Sequence, residues 1–538
     1  MLPSRASRES GGDALTQEDQ PAPRAPGIDP QIVRLSSCLT LGALFANAAR
    51  AGPERIAVQE GERQLTYRDA DQRSNRLANH LAGLGIHRGD RVAIISENRC
   101  EYIETFIACA KLGIIAACQN WRLVDAELRH CVELVAPKVI LASPRFAGRT
   151  AMLADIAPML EFGAPYEAAL AAASEAPVSD RCNGEDGLVI LYTSGTTGMP
   201  KGALISQRAE IARAYIQMTD MPNTADDAFV AWAPLFHMVS TDTVFMTLIQ
   251  GGKVIVTDGF DADELARIVA AETLGRLTLM PGMITAFLDA MKAAGQSARG
   301  VRWVGVMADL VPREQLAEIT RTLNAPYLNT FGATETGFPP ASLSAIPVGV
   351  VPTSLDKRQS SFCQIKLVDP EGREVPDGEP GELAIRSPAL FSGYWNNEAA
   401  NAEDFRGGWF HMGDVFTRNR DGSLSFVDRR KYLIKSGGEN VYPAEIERVL
   451  LAQPGVADAV VVRKRDPQWG EVPIAFVVPK AKLEAGTLIE RCRAEIARYK
   501  VPKEIHFVTD ADLPRSTTGK IMRHELEKRL TGSKASKR

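Results

Sequence analysis

The chain has 538 residues, which is more than one hydrophobic core holds, so we expect a large multi-part domain and a second one. Hydrophobic residues make up 45% and charged residues 24% of the chain, as in an ordinary globular protein. The formal net charge of -4 gives no sign of a surface that binds nucleic acid or anionic lipid, so neither partner is predicted.

Three features of the sequence predict the cellular compartment of the protein: its cysteines, its apolar runs and its N-terminus. The eight cysteines include no C-x-x-C pair, and most lie among apolar residues, which is typical of free thiols in a reducing compartment. No stretch approaches the roughly 18 apolar residues that a transmembrane helix needs. Residues 1–35 are polar, contain acids such as Asp13 and hold no apolar secretory core. We therefore predict a disordered tail at 1–35 and a cytoplasmic protein.

From about Leu39 onward, apolar periodicity predicts alternating strands and helices. The main predictions, in order, are a helix around 41–48, strands 55–58 and 64–67, helix 67–84, strand 92–95, helix 101–112, strands 138–141 and 188–191, helix 207–218, strand 229–233, a helix from Thr241, strand 253–256, helix 262–271, strand 276–280, a helix after Pro281, strand 301–306, a helix after Pro312 and strand 327–329. Such alternation predicts an α/β fold of layered, largely parallel sheets.

The pattern changes after residue 360. Short strands at 365–368, 381–385, 409–410 and 424–427 predict a β-rich subdomain. After Lys431 a module begins that contains both helices and strands. Its predicted helices are 444–451, 488–499 and 523–529, and its predicted strands are 459–462, 474–478 and 504–507. We predict an N-terminal domain at 36–430 and a small mobile α+β domain at 431–538.

The most informative motif is Tyr192–Gly202, which reads YTSGTTGMPKG. It follows a buried apolar run and precedes a helical pattern, so it predicts a strand, a loop and then a helix. Glycines let backbone N–H groups approach an anion, while four hydroxyls and Lys201 add donors and charge, which together favour a polyphosphate ligand. The spacing is not that of a P-loop, because Pro200 stands at the sixth position from Gly195 and Gly202 follows the lysine.

The other motifs each leave two interpretations open. His237 ends a strand and is either structural or part of an acid pocket. The segment 329–337 is a ligand-binding loop, in which Phe331 stacks on a purine and Glu335 binds Mg²⁺, or a surface turn. Asp414 on its glycine turn either accepts ribose hydroxyls or is an ordinary turn residue. Lys520 in the polar loop 514–521 is by default a solvated lysine.

In this order, and over residues 41–530, the motifs resemble those of the adenylate-forming superfamily of acyl-CoA synthetases, luciferases and peptide-synthetase adenylation domains. The resemblance implies an AMP-forming acid–thiol ligase. Such an enzyme activates a fatty, cyclic or aromatic acid as acyl-AMP with release of pyrophosphate, and then forms acyl-CoA, using ATP, Mg²⁺ and coenzyme A. The alternative is an adenylating enzyme that loads a separate carrier protein. A homodimer stays open.

The resemblance also implies roles for matching residues. The ATP phosphates would be held by Thr193, Ser194, Gly195, Thr196, Thr197, Gly198 and Lys201. Mg²⁺ would be bound by Thr197 and Glu335, adenine would pack on Phe331 near Ala308 and Asp309, and Asn329 and Gly332 would also bind the cofactor. Ribose would contact Asp414 and Arg429, the α-phosphate Thr334, and the acid pocket His237. Lys520 would hold the carboxylate and α-phosphate during adenylation, Lys431 would be the hinge, and the pantetheine tunnel would be formed by Lys435, Ser436, Gly437 and Gly438.

The sequence departs from the family pattern in the segment 306–309. Met307 stands where the family often has a small residue, so we expect a shortened or bent acyl channel and an acid of medium length, cyclic or aromatic. Asp309 either bonds the adenine amino group or is an exposed acid at a helix start. Met412 replaces a residue that is commonly hydroxylated, beside Asp414.

Overall fold

The structure is a computed structural model that describes residue 27 and residues 29–178, 182–193, 199–280, 282–436, 439–515 and 521–532. Its helices are α1 Pro30–Ser36, α2 Leu41–Ala51, α3 Tyr67–Gly83, α4 Cys100–Leu112, α5 Asp125–Val135, α6 Ala147–Thr150, α7 Ala164–Ala172, α8 Gln207–Asp220, α9 Met238–Ile249, α10 Ala262–Ala271, α11 Ile284–Ala294, α12 Arg313–Leu323, α13 Glu398–Asp404, α14 Pro443–Leu451, α15 Ala485–Glu495 and α16 Arg523–Gly532.

Among the described residues the strands form five sheets. Those of the N-terminal sheets are β1 Ile56–Glu60, β2 Arg63–Thr66, β3 Arg91–Ile95, β4 Ile115–Cys118, β5 Val139–Ala142, β6 Met159–Glu161, β7 Gly187–Thr193, β8 Lys201–Ser206, β9 Ala228–Ala231, β10 Lys253–Val256, β11 Thr273–Leu277, β12 Gly300–Val304, β13 Tyr327–Leu328, β14 Phe331–Ala333, β15 Gly337–Ala341 and β16 Ala345–Ile346. Those that follow are β17 Gln364–Val368, β18 Pro380–Arg386, β19 Phe410–Arg418, β20 Leu424–Arg429, β21 Ile434–Ser436, β22 Glu439–Val441, β23 Val456–Asp466, β24 Gly470–Pro479 and β25 Glu504–Phe507.

Two mainly parallel sheets form the N-terminal half. One has the order β6-β5-β3-β4-β7-β8 and the other β16-β13-β12-β11-β9-β10-β1-β2, with antiparallel strands only at their edges. The largest hydrophobic core joins the two, with Val92 from the first sheet, Val58 and Val254 from the second, and Phe106 from α4. Helices α10, α11 and α12 contribute to a second core with the larger sheet. The predicted layered α/β architecture is therefore confirmed.

Three smaller sheets complete the fold. Strands β14 and β15 form a hairpin after the end of β13. The antiparallel sheet β17-β18-β19-β20 is the predicted β-rich subdomain. The last sheet has the order β22-β21-β24-β23, with β25 parallel to β24, and is packed with α14, α15 and α16 into the α+β module predicted after Lys431.

Three local expectations are wrong or incomplete. A helix does not follow the Tyr192–Gly202 loop directly: β8 intervenes and pairs antiparallel with β7, because Ala203 and Ile205 bury alternate side chains. The strand expected at 409–410 runs on to Arg418, so Asp414 lies inside β19, after a register shift at which Gly413 has a φ of 73°. The helix expected to reach Tyr499 ends at Glu495.

The structure also bears on the N-terminal segment and on the cysteines. Helix α1 begins inside the segment 1–35 that was predicted to be a disordered tail, and its Ile32, Val33 and Leu35 side chains are exposed. All eight cysteines are free thiols, and five of them are buried. Within the described ranges, no helix is both long and apolar enough to cross a lipid bilayer.

Candidate active site

The Tyr192–Gly202 motif closes the β7–β8 hairpin. Thr193 and Lys201 are directly opposite each other in the antiparallel register, so both ends of the loop are fixed by backbone hydrogen bonds. Residues Ser194, Gly195, Thr196, Thr197 and Gly198 lie outside the described residues. Strand β8 of the hairpin lies against the 393–395 segment, since the Leu204 N–H donates to the Gly393 carbonyl at 3.0 Å.

Lys201 and Glu335, which are distant in sequence, meet around one tyrosine. The Tyr394 hydroxyl donates to Glu335 Oε1 at 2.9 Å, and Lys201 Nζ lies 4.5 Å from the centre of the Tyr394 ring. Burial and the Glu335 carboxylate raise the pKa of Tyr394, which keeps the hydroxyl protonated as a donor. Asp404 completes this corner: burial raises its pKa, and the nearby Lys201 opposes the shift. Lys201 was predicted to bind the ATP phosphates and Glu335 to bind Mg²⁺.

Thr334 and Glu335 lie in the turn of the β14–β15 hairpin. The turn is closed by Thr336, whose Oγ1 accepts from the Ala333 N–H at 3.0 Å. A Cβ on Gly332 would lie 2.0 Å from the Gly337 carbonyl oxygen, so only glycine fits there. The turn is also held from outside, because Phe391 N–H donates to the Glu335 carbonyl at 2.9 Å. The Glu335 side chain is thus held between two anchored strands.

Asp414 and Arg429 face each other across β19 and β20. Their side chains form an ion pair with Nε and Oδ1 at 2.9 Å, and the Asp414 carboxylate is the main cause of the raised pKa of Arg429. The Phe331 ring lies beside the same sheet, 5.3 Å from the ring of Phe426 and 4.9 Å from that of Phe416. Phe331, predicted to contact adenine, therefore lies against the sheet that carries Asp414 and Arg429, which were predicted to contact ribose.

Asp309 has a partner that the sequence did not indicate. Lys357 Nζ, on a side chain only 1% exposed, donates to Asp309 Oδ2 and to Asn329 Oδ1, both at 2.7 Å. Asn329 in turn donates to the carbonyls of Leu355 and Asp356. Burial lowers the pKa of Lys357 and the Asp309 charge opposes this shift. The lysine thus joins two residues that were both predicted to bind the nucleotide, and Asp309 is more than an exposed acid at a helix start.

Replacing Lys357 by methionine is expected to leave Asp309 and Asn329 without their shared donor. We expect the free energy of unfolding to fall by about 2–3 kcal/mol. We also expect KM for ATP to rise several-fold while KM for the acid stays constant, because the adenine-side residues lose their fixed positions. Urea denaturation and steady-state kinetics measure both effects. Lys366→Met, which removes a half-exposed lysine stacked on Trp409, is the control; an unchanged KM for ATP in the Lys357 variant would contradict the expectation.

The segment around Met307 borders the same region. Met307 has a φ of 52° and a side chain that is 37% exposed, immediately before the buried Ala308. Gly305 before it also has a positive φ of 75°, and a Cβ there would meet the Tyr327 ring at 2.0 Å. This constrained backbone therefore holds a long, partly exposed side chain where the sequence predicted a shortened acyl channel.

His237 is the residue before α9. Its carbonyl accepts from the Ser240 and Thr241 N–H groups, and its half-buried ring lies 4.9 Å from that of Phe236. Both interpretations of His237 stay open, because these contacts suit either a structural residue or a pocket wall.

The small domain holds the remaining predicted residues. Lys520, Gly437 and Gly438 lie outside the described residues. Ser436 is buried at the end of β21 and Lys435 is exposed beside it, its N–H donating to Glu471 Oε2 at 2.9 Å. Lys431 is exposed in a short turn of helix after β20, with its Nζ 4.9 Å from the Tyr432 ring centre. Lys431 and Lys435 are thus exposed, whereas Ser436 is buried.

A buried charged cluster lies behind the Thr334 turn, and sequence reasoning missed it. Arg213 on α8 is fully buried, donates from Nη2 to the Thr334 carbonyl at 2.9 Å and pairs with Asp242 on α9 at 3.3 Å. Glu210, one turn earlier on α8, is also fully buried. Burial and the Asp242 charge raise the pKa of Glu210 well above its usual range, so we expect it to be neutral. Arg213 thereby holds the turn that carries Glu335.

Comparison with known proteins decides the family. The family model described as AMP-binding enzyme matches residues 45–395, and that of the AMP-binding enzyme C-terminal domain matches residues 445–520. The chain belongs to the AMP-binding enzyme family.

Two curated relatives are similar along nearly their whole length. A feruloyl-CoA synthase of an Amycolatopsis species is 34% identical over 493 residues, covering 91% of this chain and 99% of the relative. An indoleacetate–CoA ligase of Aromatoleum aromaticum is 32% identical over 494 residues, with coverage of 88% and 95%. These relatives confirm the predicted activity of an ATP-dependent, AMP-forming carboxylate–CoA ligase.

A solved structure gives the same result. The o-succinylbenzoate CoA synthetase of Bacillus subtilis, in complex with its acyl-adenylate intermediate, has a TM-score of 0.78 and 27% identity and covers 90% of this chain and 97% of its own. The same synthetase in complex with ATP and a magnesium ion has a TM-score of 0.77. The enzyme therefore uses ATP, Mg²⁺ and coenzyme A, as predicted.

The described residues fit a magnesium ion that arrives with ATP. No group of three or more His, Cys, Asp or Glu side chains within the described ranges could hold a metal by itself. Mg²⁺ commonly binds through one or two carboxylates together with substrate phosphates. Glu335 suits this arrangement, since Tyr394 occupies Oε1 while Oε2 accepts no hydrogen bond from a described residue. The ion would neutralise phosphate charge there.

Proposed function

We propose that the acid substrate of this ligase carries a ring attached to, or near, the reacting carboxyl group. What carries this proposal is the similarity over most of the chain to three enzymes whose names specify feruloyl, indoleacetate and succinylbenzoate groups. Met307 supports it, because a long side chain on constrained backbone beside Ala308 would shorten the path for a straight acyl chain. A flat ring needs a wide acid pocket rather than a deep one.

We further propose the roles of the site residues. Thr193, Lys201 and the intervening loop bind the β- and γ-phosphates, while Glu335 holds Mg²⁺ and Thr334 contacts the α-phosphate. Phe331 contacts adenine, with Asp309 and Asn329 fixed by Lys357, and Asp414 with Arg429 binds ribose. The proximity of Lys201 to Glu335 through Tyr394 supports this assignment, because phosphates and metal must lie together.

The reaction needs two arrangements of charge. In the first half-reaction the acid carboxylate attacks the α-phosphorus and pyrophosphate leaves, so two anions must be brought together, which cations and fixed donors make favourable. We propose that Lys520 supplies this charge. In the second, a thiolate attacks the acyl carbonyl and AMP leaves, and we propose that the small domain turns at Lys431 to present Lys435, Ser436, Gly437 and Gly438 to pantetheine. If the small domain rotates in this way, Lys520 is needed in the first half-reaction only.

A panel of carboxylic acids tests the substrate class. Release of AMP and pyrophosphate is measured with benzoate, cinnamate, phenylacetate and cyclohexanecarboxylate, and with the straight-chain acids hexanoate and dodecanoate, each with and without coenzyme A. We expect a ring acid to give kcat/KM at least about 100-fold above either straight-chain acid, because pocket shape discriminates strongly against a poor fit. Higher kcat/KM with dodecanoate would overturn the ring proposal. Acid-dependent pyrophosphate release without any acyl-CoA product would favour the carrier-loading alternative.

Two coarser proposals concern the protein as a whole. We propose a cytoplasmic location, supported by the eight free thiols, which a reducing compartment preserves. Fractionation of cells that express the tagged protein checks it, and recovery outside the cytosol would contradict it. The homodimer stays a prediction that light scattering on the purified protein tests directly.

A further inference from the structure

Arg276 on β11 is a buried cation that the proposed reaction does not use. Its side chain is 4% exposed. Nη2 donates to Gln217 Oε1 at 3.1 Å and to Thr243 Oγ1, and the guanidinium lies 4.5 Å from the centre of the Phe338 ring. Nε is buried without a hydrogen-bond partner among the described residues. Arginine is rarely buried without a paired acid, so these unused donors need an explanation.

The charges around Arg276 do not balance. The neighbouring ionisable groups are Arg213, Asp242 and Glu210, and all three are fully buried. Asp242 pairs with Arg213 at 3.3 Å, and the Glu210 carboxyl group lies against Asp242. Burial and the Asp242 charge raise the pKa of Glu210 well above its usual range, and burial raises that of Asp242 as well, so we expect the two acids to carry one negative charge between them; Arg276, whose pKa burial lowers to about 10, stays charged at neutral pH. One carboxylate therefore faces two guanidinium groups.

An uncompensated buried cation costs stability, so such a group is retained where an anion completes it. The position of Arg276 indicates where that anion comes from. Its three contacts belong to the elements around the site: Gln217 to α8, Thr243 to α9 after His237, and Phe338 to β15 after the Glu335 turn. Arg213 of the same cluster bonds the Thr334 carbonyl. The cluster lies on the side of Thr334 where α8 and α9 pack, rather than on the sheet that carries Asp414.

We propose that Arg276 forms the far end of the acid pocket and selects acids with a second carboxylate, distal to the one that is activated. This inference rests on the proposed ring-acid function and narrows it to ring dicarboxylates. The distal carboxylate accepts from the guanidinium donors that the protein leaves unused, and it balances the excess positive charge. Thr243 and Gln217 then serve as positioning residues that orient the guanidinium.

Matched pairs of acids test the proposal. The pairs are 3-phenylpropanoate with 3-(4-carboxyphenyl)propanoate, and hexanoate with adipate; 3-(4-hydroxyphenyl)propanoate is added as a neutral polar analogue. AMP release gives kcat/KM for each acid with the wild type, Arg276→Met and Arg276→Lys. We expect the wild type to favour the aryl dicarboxylate over its partner by about 100-fold, because a buried charged donor without its acceptor penalises the analogue. Arg276→Met should remove this preference, and Arg276→Lys should retain part of it.

The controls separate selectivity from folding. Arg302→Met, on the neighbouring strand β12, removes an arginine that pairs with Asp227 outside the cluster and should leave the ratio unchanged. KM for ATP should stay within about two-fold in the Arg276 variants. Equal kcat/KM for mono- and dicarboxylates, or a preference that survives in Arg276→Met, would overturn the proposal while leaving the ring-acid function intact. Turnover confined to adipate, lost in Arg276→Met, would instead overturn the ring-acid function and support the role of Arg276.

Discussion

Replacing Lys520 by alanine is expected to slow acid-dependent pyrophosphate release by about 100- to 1000-fold, the usual cost of removing one preorganised charge from a transition state. Formation of acyl-CoA from preformed acyl-adenylate and coenzyme A should keep its rate within a few-fold. The reason is that the lysine would offset two approaching anions in the first half-reaction alone. Rapid-quench measurement of each half-reaction separates the two rates.

The control for Lys520 is another lysine of the same small domain. Lys528→Ala removes an exposed lysine that pairs with Glu525 on α16, so both half-reactions should keep their wild-type rates. If Lys520→Ala slowed both half-reactions to the same extent, the lysine would not be specific to adenylation, and the rotation about Lys431 would lose its main support.

Replacing Glu335 by glutamine is expected to lower kcat/KM for ATP by about 100-fold and to raise the Mg²⁺ concentration needed for half-maximal activity. Glutamine keeps the size of the side chain and can still accept from the Tyr394 hydroxyl, but it loses the charge that Mg²⁺ requires. Initial rates over a Mg²⁺ titration, at saturating acid and coenzyme A, measure both effects.

Tyr394→Phe is the companion variant, because it keeps the Glu335 charge and removes only the hydroxyl that donates to Oε1. We expect a loss of about ten-fold, because a hydrogen bond from a hydroxyl to a charged carboxylate contributes about 1.5 kcal/mol or more. Glu335→Gln would argue against the proposed metal site if its Mg²⁺ dependence matched that of the wild type. A drop in Tyr394→Phe as large as that in Glu335→Gln would show that positioning, rather than charge, dominates.

The regular elements were predictable where one periodicity dominates a segment. Buried runs such as 92–95 and 253–256 read as strands because both faces are covered, and the structure places β3 and β10 there. Strand β8 was missed because Lys201–Ser206 mixes polar and small residues and is stabilised by pairing with β7 and contact with Gly393. Asp414 was misplaced because the glycine before it indicated a turn, whereas it lies at a shift of register inside a long strand.

Some residues of the candidate site could also be predicted from the sequence, and others could not. Motif residues such as Lys201, Glu335 and Asp414 could be predicted as site residues because each belongs to a short, recognisable segment, and their roles stay predictions. Lys357 and Arg213 carry no local signal: the lysine is 48 residues from Asp309 and the arginine 29 from Asp242. Their importance follows only from burial and from what the fold brings beside them. Tyr394 is similar, since its link to Glu335 spans 59 residues.

The central claim is that the acid is activated by forming a bond from its own carboxylate oxygen to the α-phosphorus of ATP. The most direct test supplies the preferred acid with both carboxylate oxygens labelled as ¹⁸O, together with ATP, Mg²⁺ and coenzyme A, and analyses the nucleotide by mass spectrometry. The account predicts AMP that carries one ¹⁸O atom per acyl-CoA formed, because the acyl–oxygen bond breaks when the thiolate displaces AMP. Unlabelled AMP, or ADP as the nucleotide product, would contradict it.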